Sequence, residues 1–162
     1  MSAIIPISKG KETIVSDEDS EHFSKFKWYS FDSRATRSII KDGRQTTIAL
    51  SREIWAWHNG PIAKGLEIDH INGDVLDNRL ENLRPCTRSQ NGCNKHKRKQ
   101  TTSKFKGARK VGEKWLGVIL HKNESYHLGT FSTELEAARA YDRKAKELFG
   151  EFAALNFPEG SQ

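Results

Sequence analysis

Residues 67–91 read EIDHINGDVLDNRLENLRPCTRSQN, and the succession of patterns within them decides the fold. Leu66 to Ile71 has the character of a strand, Asn72 to Asn82 is crowded with the Asn, Asp and Gly of turns, and Leu83 to Cys86 is a second short strand. From about Thr87 the chain turns polar and helical. Strand, loop, strand and helix in that order predict a ββα unit within an α+β chain.

The same stretch gathers the residue types that phosphodiester hydrolysis requires. In-line attack on phosphorus needs a base to take a proton from water, and a hard cation to stabilise the developing charge and the leaving oxygen. His70 suits the first task, because an imidazole of ordinary pKa, about 6.5, is largely neutral at pH 7. Carboxylate and amide oxygens suit the second, since Mg2+ prefers a few oxygen ligands and keeps several waters for exchange. Neighbouring strand residues point to opposite sides, so Asp69 and His70 diverge unless the backbone bends. A metal at the strand edge, with the phosphate between cation and imidazole, tolerates that divergence. The second ligand must come from elsewhere. Asn91, on the helix, is well placed if the unit folds compactly, and Asn94, three residues along, is the alternative if the register shifts.

Asp69-His70, then Asn82 twelve residues after the histidine, then Asn91 nine further on, resembles the HNH homing endonucleases. The phrases DHINGD (69–74) and LDNRLENLR (76–84) are very like those of phage-type members. The resemblance implies a ββα-metal nuclease in which His70 is the general base, Asp69 and Asn91 bind one divalent cation, and Asn82 holds the loop and orients the histidine. Asn91 stands where many members have histidine. The related nicking enzymes carry asparagine there, which argues for one Mg2+ or Mn2+ rather than zinc. His22, His58 and His96 show no comparable partners and read as structural or solvent-facing.

Charge carries the reading outward. Between Arg84 and Lys122 stand twelve Lys or Arg against one acid, Glu113, so this stretch carries +11 while the whole chain carries +6 and the remainder sums to −5. A one-sign block adjoining aromatic residues is what phosphate-backbone binding needs. Arg84, Arg88, Lys95, Lys97, Arg98 and Lys99 are its candidate contacts beside the ββα unit, and double-stranded DNA is the expected partner. The 162 residues suffice for one ordinary domain or two small ones. No apolar run approaches the roughly 18 residues of a membrane span, and the start, MSAIIPISKGKE, lacks a signal peptide's apolar core. The expected location is the cytoplasm of a bacterial or phage-infected cell. Cys86 and Cys93 are too few for a disulfide framework or a four-ligand zinc site and read as reduced thiols.

Upstream of residue 67 the chain reads as a small mixed unit. Glu12 to Val15 is strand-like, residues 16–19 form an acidic helix start, and Phe23, Phe26 and Trp28 follow at near-helical spacing. Trp28 to Ile40 and Arg44 to Leu50 look like two strands joined at Asp42-Gly43. Ser51 then caps a short helix that contains Ile54, Trp55 and Trp57 and ends at Asn59-Gly60-Pro61. Arg34, Arg37, Lys41 and Arg44 are further candidates for phosphate contact. Downstream, residues 95–104 have no apolar residue and no periodicity, as a linker would. Phe105 to Lys110, Lys114 to His121 and Ser125 to Phe131 suit a three-stranded antiparallel sheet. A helix follows from the capping box Thr133-x-x-Glu136 to Gly150, its stripe of Ala138, Tyr141, Ala145 and Leu148 facing that sheet.

FKGAR (105–109), KW (114–115), HLGTF (127–131), EAARAYD (136–142) and LNFP (155–158) together resemble an AP2 domain, over about a third of the chain. That likeness implies a three-stranded sheet lying in the DNA major groove. The matching positions are Lys106, Arg109, Lys114, Trp115 and His127, with Lys110 beside them. Two departures stand out. The family's middle strand carries an acidic and a basic residue where this chain has Val118 and Leu120, and His127 replaces a tryptophan, so sequence preference should differ.

The expected organisation is a nuclease domain with a mixed N-terminal extension over 1–97, a basic linker over 98–104 and an AP2-like domain over 105–158. The expected function is a metal-dependent, site-directed endonuclease or nickase of the homing type. The alternative is a non-catalytic DNA-binding regulator that keeps the HNH fold. One active site per chain favours nicking unless two chains act together. A monomer is slightly favoured, and neither a membrane nor a small-molecule substrate is expected.

Overall fold

A computed structural model describes residues 1–94, 102–122 and 124–158 and divides into two units, Met1–Ser89 and Gln90–Gln162. The first unit opens on a hairpin that the sequence reading saw only in part: β1 (Ser2–Ile7) pairs antiparallel with β2 (Lys11–Ser16). Ile5, Ile7 and Val15 turn inward and Ile4 outward, the two-residue alternation of a half-buried strand. Helix α1 (Asp17–Phe23) begins with Asp17, Glu18 and Asp19, acids that complement the positive end of a helix. It stops at Phe23, so Phe26 and Trp28 lie beyond it. The Trp28 indole is buried and its Nε1 donates to the Phe23 carbonyl at 2.8 Å, satisfying an acceptor of the last turn.

The expected single strand from Trp28 to Ile40 is two: β3 (Tyr29–Phe31) and β4 (Arg34–Lys41). Asp32 and Ser33 between them both adopt left-handed backbone, φ 48° and 62°, which closes a tight hairpin. Asp42-Gly43 makes the predicted turn from β4 to β5 (Arg44–Ala49), giving the sheet order β3-β4-β5. Helix α2 (Leu50–Asn59) starts one residue before Ser51, after Ala49, with no side-chain cap; Ser51 is buried within it. Strands β6 (Leu66–His70) and β7 (Leu83–Thr87) pair antiparallel with Asp69 opposite Arg84 and His70 opposite Leu83, and α3 (Arg88–Cys93) follows. The predicted strand, loop, strand, helix order is therefore present. Val15, Phe23, Trp28, Leu50, Ile54, Ile68 and Leu83 share one apolar core, each contributing about 1.5–3 kcal/mol on burial.

In the second unit β8 (Ala108–Val111), β9 (Lys114–His121) and β10 (Glu124–Phe131) form an antiparallel sheet, with β9 central. Helix α4 (Glu134–Phe149) packs on it through Tyr141 and Ala145 against Ile119. Its capping box is complete: Glu136 N donates to Thr133 Oγ1 at 3.2 Å and Thr133 N to Glu136 Oε2 at 3.0 Å. The first strand begins at Ala108 rather than Phe105, because the backbone at Lys106 is used elsewhere. Its N–H donates to Asn156 Oδ1 at 2.6 Å and its carbonyl accepts from Asn156 Nδ2 at 3.0 Å. Among the described residues no helix is long and apolar enough to cross a membrane.

Candidate active site

The loop between β6 and β7 is built from side chains that replace the backbone pairing a strand would have had. Asn72 Oδ1 accepts from Asp74 N at 2.8 Å and Asp74 Oδ1 from Leu76 N at 2.9 Å, two Asx turns in series. Asn82 spans the loop: its Oδ1 accepts from Asn72 N, and its Nδ2 donates to Asn72 Oδ1 and to the Asp77 carbonyl at 2.7 Å. The Arg79 guanidinium forks onto Asp77 at 2.8 Å to each oxygen and holds that carboxyl below its usual range. Strand β2 clasps the loop from the side, Ile14 N donating to Leu76 O at 2.8 Å and Asn78 N to Ile14 O at 2.7 Å.

His70 is buried, 5% exposed, and its Nε2 lies 3.2 Å from Asn78 Oδ1. The proton arrangement there follows from the far end of a chain of hydrogen bonds. The Leu76 carbonyl can only accept, so Thr13 Oγ1, at 2.7 Å, donates to it. Thr13 Oγ1 then accepts from Asn78 Nδ2 at 2.7 Å, which turns the Asn78 oxygen toward His70. Facing an acceptor, Nε2 is the ring nitrogen that carries a proton in this bond. Burial lowers the His70 pKa below its ordinary 6.5; the Asn78 oxygen opposes this, the Arg34 charge adds to it, and Asp69 and Asp74 oppose it more weakly. The shift favours the neutral imidazole. Asn78, 2% exposed, is the partner that sequence reasoning passed over.

Asp69 points away from this relay. Arg84, directly across the ladder, donates to its Oδ2 from Nε at 3.0 Å and from a terminal nitrogen at 2.8 Å. Arg84 is itself buried, so this candidate phosphate contact is turned inward onto Asp69. The Cys86 thiol is buried and directed at the Glu67 carbonyl. Carboxylate and amide oxygens are hard donors, of the type that divalent cations such as Mg2+ take. Asn91 and Asn94 fall in the second unit, Asn91 half-buried and Asn94 buried.

The remaining candidates divide by exposure. Arg34, Lys41, Arg44 and Arg88 are exposed, whereas Arg37 is committed to Glu53 at 2.9 Å and lies over the Phe26 ring. Lys95, Lys97, Arg98 and Lys99 lie outside the described residues, as does His96. Lys106 is half-buried, donates to the Cys93 carbonyl at 3.2 Å and lies over the Tyr141 ring; burial lowers its pKa. Arg109, Lys110, Lys114 and His127 are exposed. Trp115 proves to face the helix: a Cβ at Gly117 would meet the Phe131 ring and the Ala137 carbonyl of α4, and Trp115, two residues earlier and opposite Phe131, shares that side. His58, unpartnered in the sequence reading, meets Asp19 at 2.6 Å, and Glu18 completes a cluster whose ligand atoms lie within 4.8 Å of one another. His22 stacks on Trp57 with ring centroids 4.1 Å apart.

The family model of HNH endonucleases matches residues 49–93. The chain is 37% identical over 150 residues to the uncharacterized HNH endonuclease L560 of Acanthamoeba polyphaga mimivirus, covering 91% of this chain and 76% of that protein. It is 42% identical over 132 residues to dehydration-responsive element-binding protein 2A of Arabidopsis thaliana, covering 78% of this chain but 36% of that protein. It is also similar, at 37% over 70 residues, to the AP2/ERF and B3 domain-containing transcription repressor TEM1 of the same plant, covering 43% of this chain and 19% of the repressor. The AP2-type likeness falls on the C-terminal region.

Proposed function

The chain belongs to the HNH endonuclease family, and on that premise we propose that it is a site-directed endonuclease of the homing type, hydrolysing a phosphodiester bond of double-stranded DNA. The observation that carries this reading is the buried relay from Leu76 through Thr13 and Asn78 to His70. A histidine that takes a proton from water must present an unprotonated nitrogen, and a partner that fixes the tautomer supports that role. His70 takes the proton of the attacking water on Nδ1, while Asn78 holds the growing charge of the imidazolium through Nε2–H. Asn82 and Asp77 keep the loop shaped so that Asn78 stays in place. A divalent cation, Mg2+ or Mn2+, held by Asp69 and Asn91 would polarise the phosphoryl oxygens and neutralise charge on the leaving oxygen.

Residues 1–97 form the nuclease part in this reading, 98–104 a basic linker, and 105–158 an AP2-like module that adds binding energy through Arg109, Lys110, Lys114 and His127. One observation favours a second reading, a binding-only regulator: Arg84 occupies the carboxylate that the cation requires. Supercoiled plasmid separates the two. With the full chain and Mg2+, relaxed or linear DNA should accumulate and a chelator should stop it. Binding without any cleavage at any divalent ion would leave the regulator.

A further inference from the structure

The face of the C-terminal sheet away from α4 is not the surface expected of a purely hydrogen-bonding reader. Opposite partners share a face, so Arg109, Leu116 and Thr130 lie on it together, as do Val111 with Lys114, Val118 with His127, and Leu120 with Ser125. Down its middle strand run Lys114, Leu116, Val118 and Leu120; Leu116 is buried and Val118 half-buried, and the lower end is open: Leu120 is 66% exposed and Val111, on the neighbouring strand, 50%. Arg109 and Lys114 supply the cations, and none of the described residues on this face is a carboxylate. A polyanion is therefore the occupant that its charge fits, and an aliphatic column flanked by cations can do one thing in a groove that the cations cannot.

Valine and leucine neither donate nor accept, so against the base edges of a major groove they distinguish only the thymine 5-methyl group, the one apolar feature displayed there. We propose that Val118 and Leu120, with Val111 beside them, read thymine methyl groups, so that the module prefers duplex carrying thymine beneath the centre of the sheet. Arg109 and Lys114 hold phosphate and set the register. This rests on the reading of the second unit as a duplex DNA-binding module, and it adds which base feature the module recognises.

The test compares thymine with uracil, which differ in duplex DNA by that methyl group alone. The full chain carrying His70→Ala, to avoid cleavage, is used to select duplexes from a randomised pool, and the best binder is remade with deoxyuridine at each thymine in turn. At the contacted positions affinity should fall about fourfold per methyl removed, the equivalent of the roughly 0.8 kcal/mol of one buried CH2. Leu120→Ser should bring the thymine-to-uracil ratio toward one, whereas Lys114→Ala should weaken both duplexes alike and keep the ratio. Tight duplex binding with no thymine-to-uracil difference at any position would overturn the methyl reading and leave DNA binding standing. No duplex binding at all would overturn the reading beneath it.

Discussion

Leu76, Thr13 and Asn78 form a hydrogen-bond chain that reaches His70 Nε2, and the orientation of Asn78 within it presents an acceptor to that nitrogen. Asn78→Ala should lower the single-turnover cleavage rate by roughly 10- to 100-fold, the usual cost of losing the group that orients an active-site histidine. Burial holds the His70 pKa below 6.5, so the neutral, active form persists below pH 6.5 and the rate falls only as pH drops through the folded value. The linked stability has the same sign: the unfolded chain takes up this proton first, so stability declines as pH falls through 6.5 and levels off below the folded pKa. Asn78→Asp, which puts a full negative charge on Nε2–H, should shift the acid limb of the pH–rate profile to higher pH; an unmoved limb would show that Asn78 does not touch the titrating group. Asp69, His70 and Asn82 could be singled out from spacing. Asn78 could not, because its function comes from Thr13, 65 residues away in sequence, and no local pattern separates it from its neighbours.

At the scale of elements, segments that have no regular structure of their own are braced by hydrogen bonds from sequence-distant residues. The edge of β2 pairs with the β6–β7 loop through Ile14, and the chain near Lys106 is clasped by Asn156, whose N–H and Nδ2 both reach Asp142 Oδ1 at 2.9 Å. Gly107 is where the second brace is tightest. It has φ 76°, and a Cβ there would collide with the Tyr141 ring. Gly107→Ala should therefore destabilise the second unit by at least about 2 kcal/mol, through overpacking and left-handed backbone together, read as a lower midpoint in denaturant. An unchanged midpoint would mean that Tyr141 has room to move. The capping box at Thr133 and the Asp42-Gly43 turn were legible because each is a local code. The Asp32-Ser33 turn was not, since neither residue announces left-handed backbone, and β1 was missed because its pairing with β2 is the only thing that distinguishes it.

Taken whole, the chain joins an HNH nuclease to an AP2-like region, and the charge distribution foreshadowed that union: the +11 stretch begins at Arg84 in β7 and ends at Lys122, in the turn after β9. What charge alone could not tell is which cations face outward. Arg84 closes on Asp69, Arg37 on Glu53 and Lys106 on the Cys93 carbonyl, leaving Arg109, Lys110 and Lys114 among the exposed ones. The counting of cations was right and their assignment was a matter of packing. The central claim is that His70 Nδ1 performs the proton transfer in DNA cleavage. Its most direct test is single-turnover cleavage of one mapped duplex by the folded full chain and by His70→Ala, at matched metal and saturating protein. The account predicts that His70→Ala binds the duplex as the unsubstituted chain does while its cleavage rate falls by at least about 100-fold; equal rates for the two proteins would contradict it.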